Sequence, residues 1–184
     1  LKSKINKKTK MIFVENPGSN TFEFQDLSRI TKLAKKRKII TAIDNTWGTP
    51  FLIKPLKLGF DMSISSGTKY FSGHSDVMLG SLSVNKRVYD KVRFCNKLLG
   101  YRASPDDAYL VLRGLRTLDI RLKKHEENTR KIVNFLKKEK KVTEILYPYK
   151  KGDKNFENWK KYYKGSTGLF SVIIFSKNKK SVIR

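Results

Sequence analysis

The sequence predicts an α/β fold: a mostly parallel sheet flanked by helices, followed by the start of a smaller unit. Three observations carry that expectation. Short apolar runs alternate with an amphipathic run and a compact turn over residues 11–85, the strand–helix–strand rhythm in which successive strands lie parallel. The strand-like runs are apolar rather than alternating, as in strands covered on both faces. From about Val142 the pattern changes to new apolar runs around a lysine-rich loop, which divides the chain into 1–140, part of a large domain, and 141–184, the start of a small one.

The first run, "MIFVE" at 11–15, reads as a buried strand ended by the turn signal "NPGSN". "FQDLSRITKLAKKRK" places Leu27, Ile30, Leu33 and Ala34 on one helical face, with Asp26 or Ser28 at its start. "IITAID" at 39–44 is the second strand, "FLIKPLKLG" a turn or short helix, "DMSISS" the third strand, and "LGSLSVN" a fourth at about 79–85. Beyond residue 86 the pattern is helical, with Leu118, Leu122, Ile132, Val133 and Leu136 keeping one face and "LKKEKK" at 136–141 a solvated helix end. "VTEILYP" and "GLFSVIIF" are the apolar runs of the smaller unit.

With 184 residues, 39% hydrophobic, the chain can bury one good core. No apolar run approaches the ~18 residues of a membrane span. The opening "LKSKINKKTK" lacks the apolar stretch of a signal peptide. Both ends read as cut, so a fragment of a longer protein is expected. One cysteine and two distant histidines build neither a disulfide nor an ordinary zinc site, and a reducing cytoplasm is the expected setting. Cys95 is expected half-buried on a helix. The net charge of +25 would suit a phosphate-bearing partner. Yet 31 of the 41 basic residues are lysine, dispersed along the chain rather than gathered on one stretch. Neither a nucleic acid nor a membrane is the expected partner.

The chemistry concentrates where strands end. In a parallel sheet functional side chains gather at the carboxyl ends of the strands. Asp44 closes "IITAID", and Lys69 follows "DMSISS" by three residues. An aspartate closing a buried strand is costly unless a cation meets it, and an Asp44–Lys69 ion pair would satisfy it. Ser65, Ser66 and Thr68, in a turn with Gly67, add hydroxyls and open backbone suited to an oxyanion. Lysine, acid and hydroxyls together suit pyridoxal phosphate: the lysine forms the Schiff base, the acid holds the pyridine nitrogen protonated, and the hydroxyls take the phosphate. On residue types alone, the ion pair and the cofactor site both stand.

Three longer motifs, "DNTWGTPFL", "SGTKYFSGHSDVMLG" and "SPDDAYLVLRGLRTLDIRL", in that order and spacing, resemble the Cys/Met-metabolism family of pyridoxal-phosphate enzymes, from about Met11 to about Phe175. The resemblance implies an aspartate-aminotransferase-like fold, type I among the enzymes of this cofactor. It implies that Lys69 is the Schiff-base lysine and general base, that Asp44 pairs with the pyridinium nitrogen, and that Ser66 and Thr68 help hold the phosphate. Ser19 is implied to approach the cofactor ring. "PGSNTFEFQD" and Trp47 resemble the branch that breaks a β-carbon–sulfur bond, because γ-acting members more often carry Pro-Ala-Asn-Pro and Phe or Tyr there. The implied activity is cleavage of L-cystathionine to homocysteine, pyruvate and ammonia, in transsulfuration toward methionine. Other reactions of the family are the alternatives: γ-synthesis, γ-elimination or sulfhydrylation. A non-catalytic basic binding protein is a remote one. The family also implies a dimer-based homotetramer, with a ring-stacking aromatic, a neighbouring subunit's tyrosine and arginine, and a carboxylate-binding arginine all outside this chain. The 184 residues alone are therefore expected to be poorly active.

Of the remaining candidates, His74 and Asp76 are expected to shape the turn after Lys69, and Trp47 either lines the pocket or packs. Arg113 and Arg116 are expected at a surface or subunit contact, and His125 in solvent.

Overall fold

Strand pairing begins with "MIFVE", which forms β1 (Met11–Glu15), and "ITAID", which forms β2 (Ile40–Asp44), in a computed structural model describing residues 1–148 and 152–176. The two strands are parallel, Met11 opposite Ile40 and Glu15 opposite Asp44. β3 (Met62–Ser66) continues the parallel set, and β4 (Gly80–Val84) closes it antiparallel, giving the order β1-β2-β3-β4. A parallel pair needs a crossover. Between β1 and β2 it is α1 (Leu27–Lys36); between β2 and β3 it is the short α2 (Thr49–Leu52) and a 3-10 turn at Pro55–Leu58.

Asp26 settles the start of α1: its carboxylate accepts from Arg29 N, while Lys35 and Lys36 lie in the last turn, where the helix dipole favours cations. The buried residues of α1 are Leu27, Thr31 and Ala34, with Ile30 and Leu33 only partly covered. Thr31 can be buried because its hydroxyl reaches Ser28 O and Leu58 O.

The expectation of strands covered on both faces fails at β1, which alternates. Ile12 and Val14 are buried, whereas Met11 and Phe13 are 45% and 58% exposed. Strand register puts Ile12, Val14, Thr41, Ile43 and Ser65 on the covered face. Phe13, Asp44 and Ser66 project from the other. The core under the covered face joins Leu27, Ala34, Ile43 and Phe60, all fully buried, to Trp159, Tyr162 and Tyr163. Each large apolar side chain so buried contributes about 1.5–3 kcal/mol.

Three longer helices follow: α3 (Lys86–Leu99), α4 (Pro105–Leu115) and α5 (Leu118–Leu136). Ser104 caps α4 by accepting from Asp107 N, with Pro105 at the first helical position. On α5, Leu118, Leu122, Thr129 and Val133 are buried. Ile132, expected on that face, is 48% exposed and Leu136 only partly covered. Lys137–Lys141 are solvated, as expected. Cys95 is exposed on α3, not half-buried; only Val88 of that helix is buried. β5 (Val142–Leu146) and β6 (Ser171–Ile174) form a separate antiparallel pair, with α6 (Phe156–Tyr162) between them. Among the described residues, no helix is long and apolar enough to cross a membrane.

Candidate functional site

A cleft of about 1160 Å³ opens at the carboxyl ends of the parallel strands, and Asp44, Ser66, Thr68, Lys69 and Ser19 all line it. Asp44 and Ser66 arrive there because both project from the same face of neighbouring strands. Ser65, one residue out of phase, is buried on the other face, so two of the three predicted hydroxyls reach the cleft.

Asp44 is held by a turn of its own making. Its Oδ1 accepts from Thr46 N at 2.8 Å, and Thr46 Oγ1 in turn accepts from Ser66 N at 2.8 Å. Thr46 thereby ties the end of β2 to the end of β3 and lines the cleft itself. The Asp-x-Thr spacing of "DNT" is a local turn signal that would have found it.

Lys69 sits in an irregular turn, Gly67–Phe71, with the unusual backbone angles φ −90°, ψ −110°. The turn is pinned at its base. Thr68 N donates to Leu79 O (3.1 Å), and Leu79 N donates to Thr68 Oγ1 (3.0 Å). Gly67 permits this approach, since a β-carbon there would stand 2.8 Å from Leu79 Cδ2 and 3.0 Å from Leu79 O. Ser72 Oγ, buried, donates to Thr68 O, and Gly73 N donates to Lys69 O at 2.8 Å. His74 Nδ1 lies 2.6 Å from Ser72 O, a turn-shaping contact, while Asp76 is at the exposed rim.

The predicted bland alternative does not form: among the described residues, no ion pair joins Asp44 to Lys69, and none engages Lys69 at all. Nor does the Ser66 hydroxyl make a hydrogen bond among them.

Ser19 is more committed. Its hydroxyl donates to Glu15 Oε1 at 2.6 Å and its N–H to Glu15 Oε2 at 3.1 Å, folding the loop after β1 back on the strand end. Behind it, Asn16 is buried: its Nδ2 donates to Tyr163 Oη (2.8 Å), whose hydroxyl donates to Asn16 O (2.6 Å). Burial pushes the Tyr163 phenol up. Trp47 both lines the cleft and packs, edge-on to Phe24 and Tyr163 with centroids 5.6 Å away, its indole N–H donating to Leu169 O at 3.3 Å.

His125, expected in solvent, is exposed but on the cleft side, its ring edge-on to Tyr70 at 5.7 Å. Tyr70 Oη accepts from Gly168 N, and burial raises its phenol above the usual range. Arg121 also lines the cleft, whereas Arg113 and Arg116 are exposed.

Residues 1–183 match the family model described as Cys/Met metabolism PLP-dependent enzyme. The chain belongs to this family. Among its relatives are the cystathionine β-lyase of Escherichia coli strain K12, 39% identical over 92% of this chain and 43% of the relative. Another is the L-alanine/L-glutamate racemase of Wolbachia pipientis wMel, 38% identical over 92% of this chain and 42% of the relative. The crystal structure of cystathionine γ-lyase from Lactobacillus plantarum complexed with L-serine superposes with a TM-score of 0.91 at 31% identity, over 94% of this chain and 46% of that one. The chain thus spans less than half the length of these relatives, and its fold is that of the family.

The family is dependent on pyridoxal phosphate, and the residues present fit that group. Among the described residues, a primary amine without a carboxylate partner, a carboxylate with one oxygen uncommitted, and a hydroxyl without a hydrogen bond share one cleft. Lys69 would hold the cofactor's carbonyl carbon, Asp44 its ring nitrogen, and Ser66 with Thr68 its phosphate.

Proposed function

We propose that the parent protein is a carbon–sulfur lyase that cleaves L-cystathionine to homocysteine, pyruvate and ammonia. The observation that carries this reading is the unpaired Lys69 amine in one cleft with the Asp44 carboxylate and the Ser66 and Thr68 hydroxyls. Similarity to cystathionine β-lyases, together with Trp47 and Ser19 in the cleft, supports the β-lyase assignment within the family. Residues 141–184 are proposed as the start of a second domain.

Bound pyridoxal phosphate supplies an electron sink for charge developing at the substrate α-carbon. The protein's own groups do the rest. Lys69 Nζ takes the proton from Cα and delivers one to the departing sulfur, so that Cα–H and Cβ–S break and the thiol of homocysteine forms. The three-carbon remainder takes up water to give pyruvate and ammonia. Asp44 would hold the cofactor's ring nitrogen through its uncommitted oxygen, and the Ser66 and Thr68 hydroxyls would hold the phosphate and hence the register of the reacting atoms.

The test has two steps. The full-length parent protein mixed with pyridoxal phosphate is expected to develop a visible absorbance band that borohydride removes and that Lys69→Ala lacks. Products from cystathionine are then assayed. Pyruvate supports the reading. A second reading comes from the racemase relative, since a lysine positioned to take the Cα proton can also return one; no pyruvate from cystathionine, with racemisation of L-alanine supplied as a separate substrate, would replace the lyase, and 2-oxobutyrate from cystathionine would indicate γ-elimination.

A further inference from the structure

The turn that carries Lys69 is gripped from below by a residue that none of the motif chemistry used. Arg121, in the first turn of α5, donates through Nη2 to Phe71 O (3.4 Å) and to Gly114 O (2.8 Å), and through Nε to Thr117 Oγ1 (3.1 Å). One guanidinium therefore bridges the lysine turn, the end of α4 and the start of α5. Two glycines make the junction possible. A β-carbon on Gly73, whose φ is +73°, would collide with Arg121 Nη1, and one on Gly114 would collide with Phe71 O and Ser72 O. The cation has no carboxylate partner among the described residues, only neutral oxygens, and partial burial lowers its pKa. A planar fork with several fixed donors suits three acceptors at set angles; a lysine ammonium, on a flexible stem, does not reproduce it.

We propose that Arg121 is a positioning residue: its guanidinium bridge to Phe71 O and Gly114 O holds the 67–73 turn against the α4–α5 junction and so fixes where the Lys69 amine stands. The idea deepens the lyase reading and rests on it for its catalytic consequence, but the bridge itself can be tested without cofactor.

Amide hydrogen exchange on cofactor-free protein reads the bridge through Ser72 N, bonded to Gly67 O, and Gly73 N, bonded to Lys69 O. In Arg121→Lys and Arg121→Ala these two amides are expected to exchange roughly tenfold faster, the scale of one charge-assisted hydrogen bond, with the middle of α5 unchanged. Unchanged exchange at both amides in a folded variant overturns the proposal. So does a rise spread evenly over α5 and the core, which would mean general loosening. If Arg121→Ala does not fold, Arg121→Lys decides.

In the full-length parent with pyridoxal phosphate, the same variants are expected to keep the borohydride-sensitive band while kcat falls about 10- to 100-fold and KM stays within about threefold, as for a misplaced reacting group. Full kcat in both variants would overturn the catalytic half. A full-length parent protein without any Lys69-dependent band would instead refute the lyase reading and leave the exchange result standing.

Discussion

Two aspartates stand at opposite ends of the same sheet, and their surroundings differ in kind. Asp61, just before β3, is 3% exposed and surrounded by donors: Thr41 N (2.9 Å), Thr41 Oγ1 (3.2 Å), Asn85 Nδ2 (2.9 Å) and Arg87 Nη1 (3.3 Å). Asp44, at the carboxyl end of β2, is partly exposed and among the described residues has one donor, Thr46 N, on one oxygen. Buried charge must be compensated from within. Asp61 is, so it belongs to the architecture. Asp44 is left half-compensated beside a cleft, as a carboxylate that awaits a ligand would be. Residue type does not separate the two; the count of satisfied oxygens does.

Substitutions can break that contrast. The largest effect is expected at the cleft's cation: Lys69→Ala should lower turnover by more than about a thousandfold, measured as product release, with a melting temperature close to wild type. Asp44→Asn is next, with turnover down about a hundredfold and little loss of stability, since Oδ1 can still accept from Thr46 N. Asp61→Ala should do the reverse. It strands the buried donors of Thr41 and Asn85 and takes from half-exposed Arg87 its carboxylate partner, costing about 2–3 kcal/mol in a urea titration while the fraction of cofactor bound by the folded protein stays unchanged. Equal stability losses at Asp44 and Asp61 would erase the distinction.

A third aspartate sharpens it with the smallest effect. Asp26 caps α1 and accepts from the Tyr162 hydroxyl, with Lys161 Nζ at 3.4 Å. The Tyr162 hydrogen bond is the main reason its pKa lies below the usual aspartate range. A carboxyl whose folded pKa is depressed adds stability above its unfolded pKa and loses it as pH falls through the folded value. Wild type should therefore lose a modest increment of stability in acid, below the ordinary carboxylate range, and Tyr162→Phe should lose less over the same interval. Parallel acid titrations of the two proteins would show the gap; identical slopes would remove Asp26 from the account.

The positions of Asp44, Ser66, Thr68 and Lys69 were legible because the chemistry is written locally: each lies at or just past the end of a strand, and strand ends follow from short apolar runs. The succession of strands along the chain and the existence of α1 followed from periodicity. What stayed hidden depends on partners far along the chain. Thr31 replaced Leu33 in the core because Leu58 O was there to accept its hydroxyl. Met11 and Phe13 read as core but project from the open face of the sheet. Arg121 drew no reading from the sequence, as two of its acceptors are the backbone oxygens of Phe71 and Gly114, which only tertiary folding brings to it. His125 is exposed as expected, yet it faces the cleft, which periodicity cannot report.

The hydrogen bonds between Asn16 and Tyr163 span 147 residues. During synthesis at ~5–20 residues per second, Tyr163 leaves the ribosome roughly 7–30 s after Asn16. Through that interval β1 and β2 can pair, but the loop carrying Ser19 lacks its Tyr163 anchor, and Trp47 lacks one of its two ring neighbours. The mouth of the cleft is thus assembled last although its first residues are made first, and a nascent chain halted before α6 would carry the lysine and the acid on an unfinished wall.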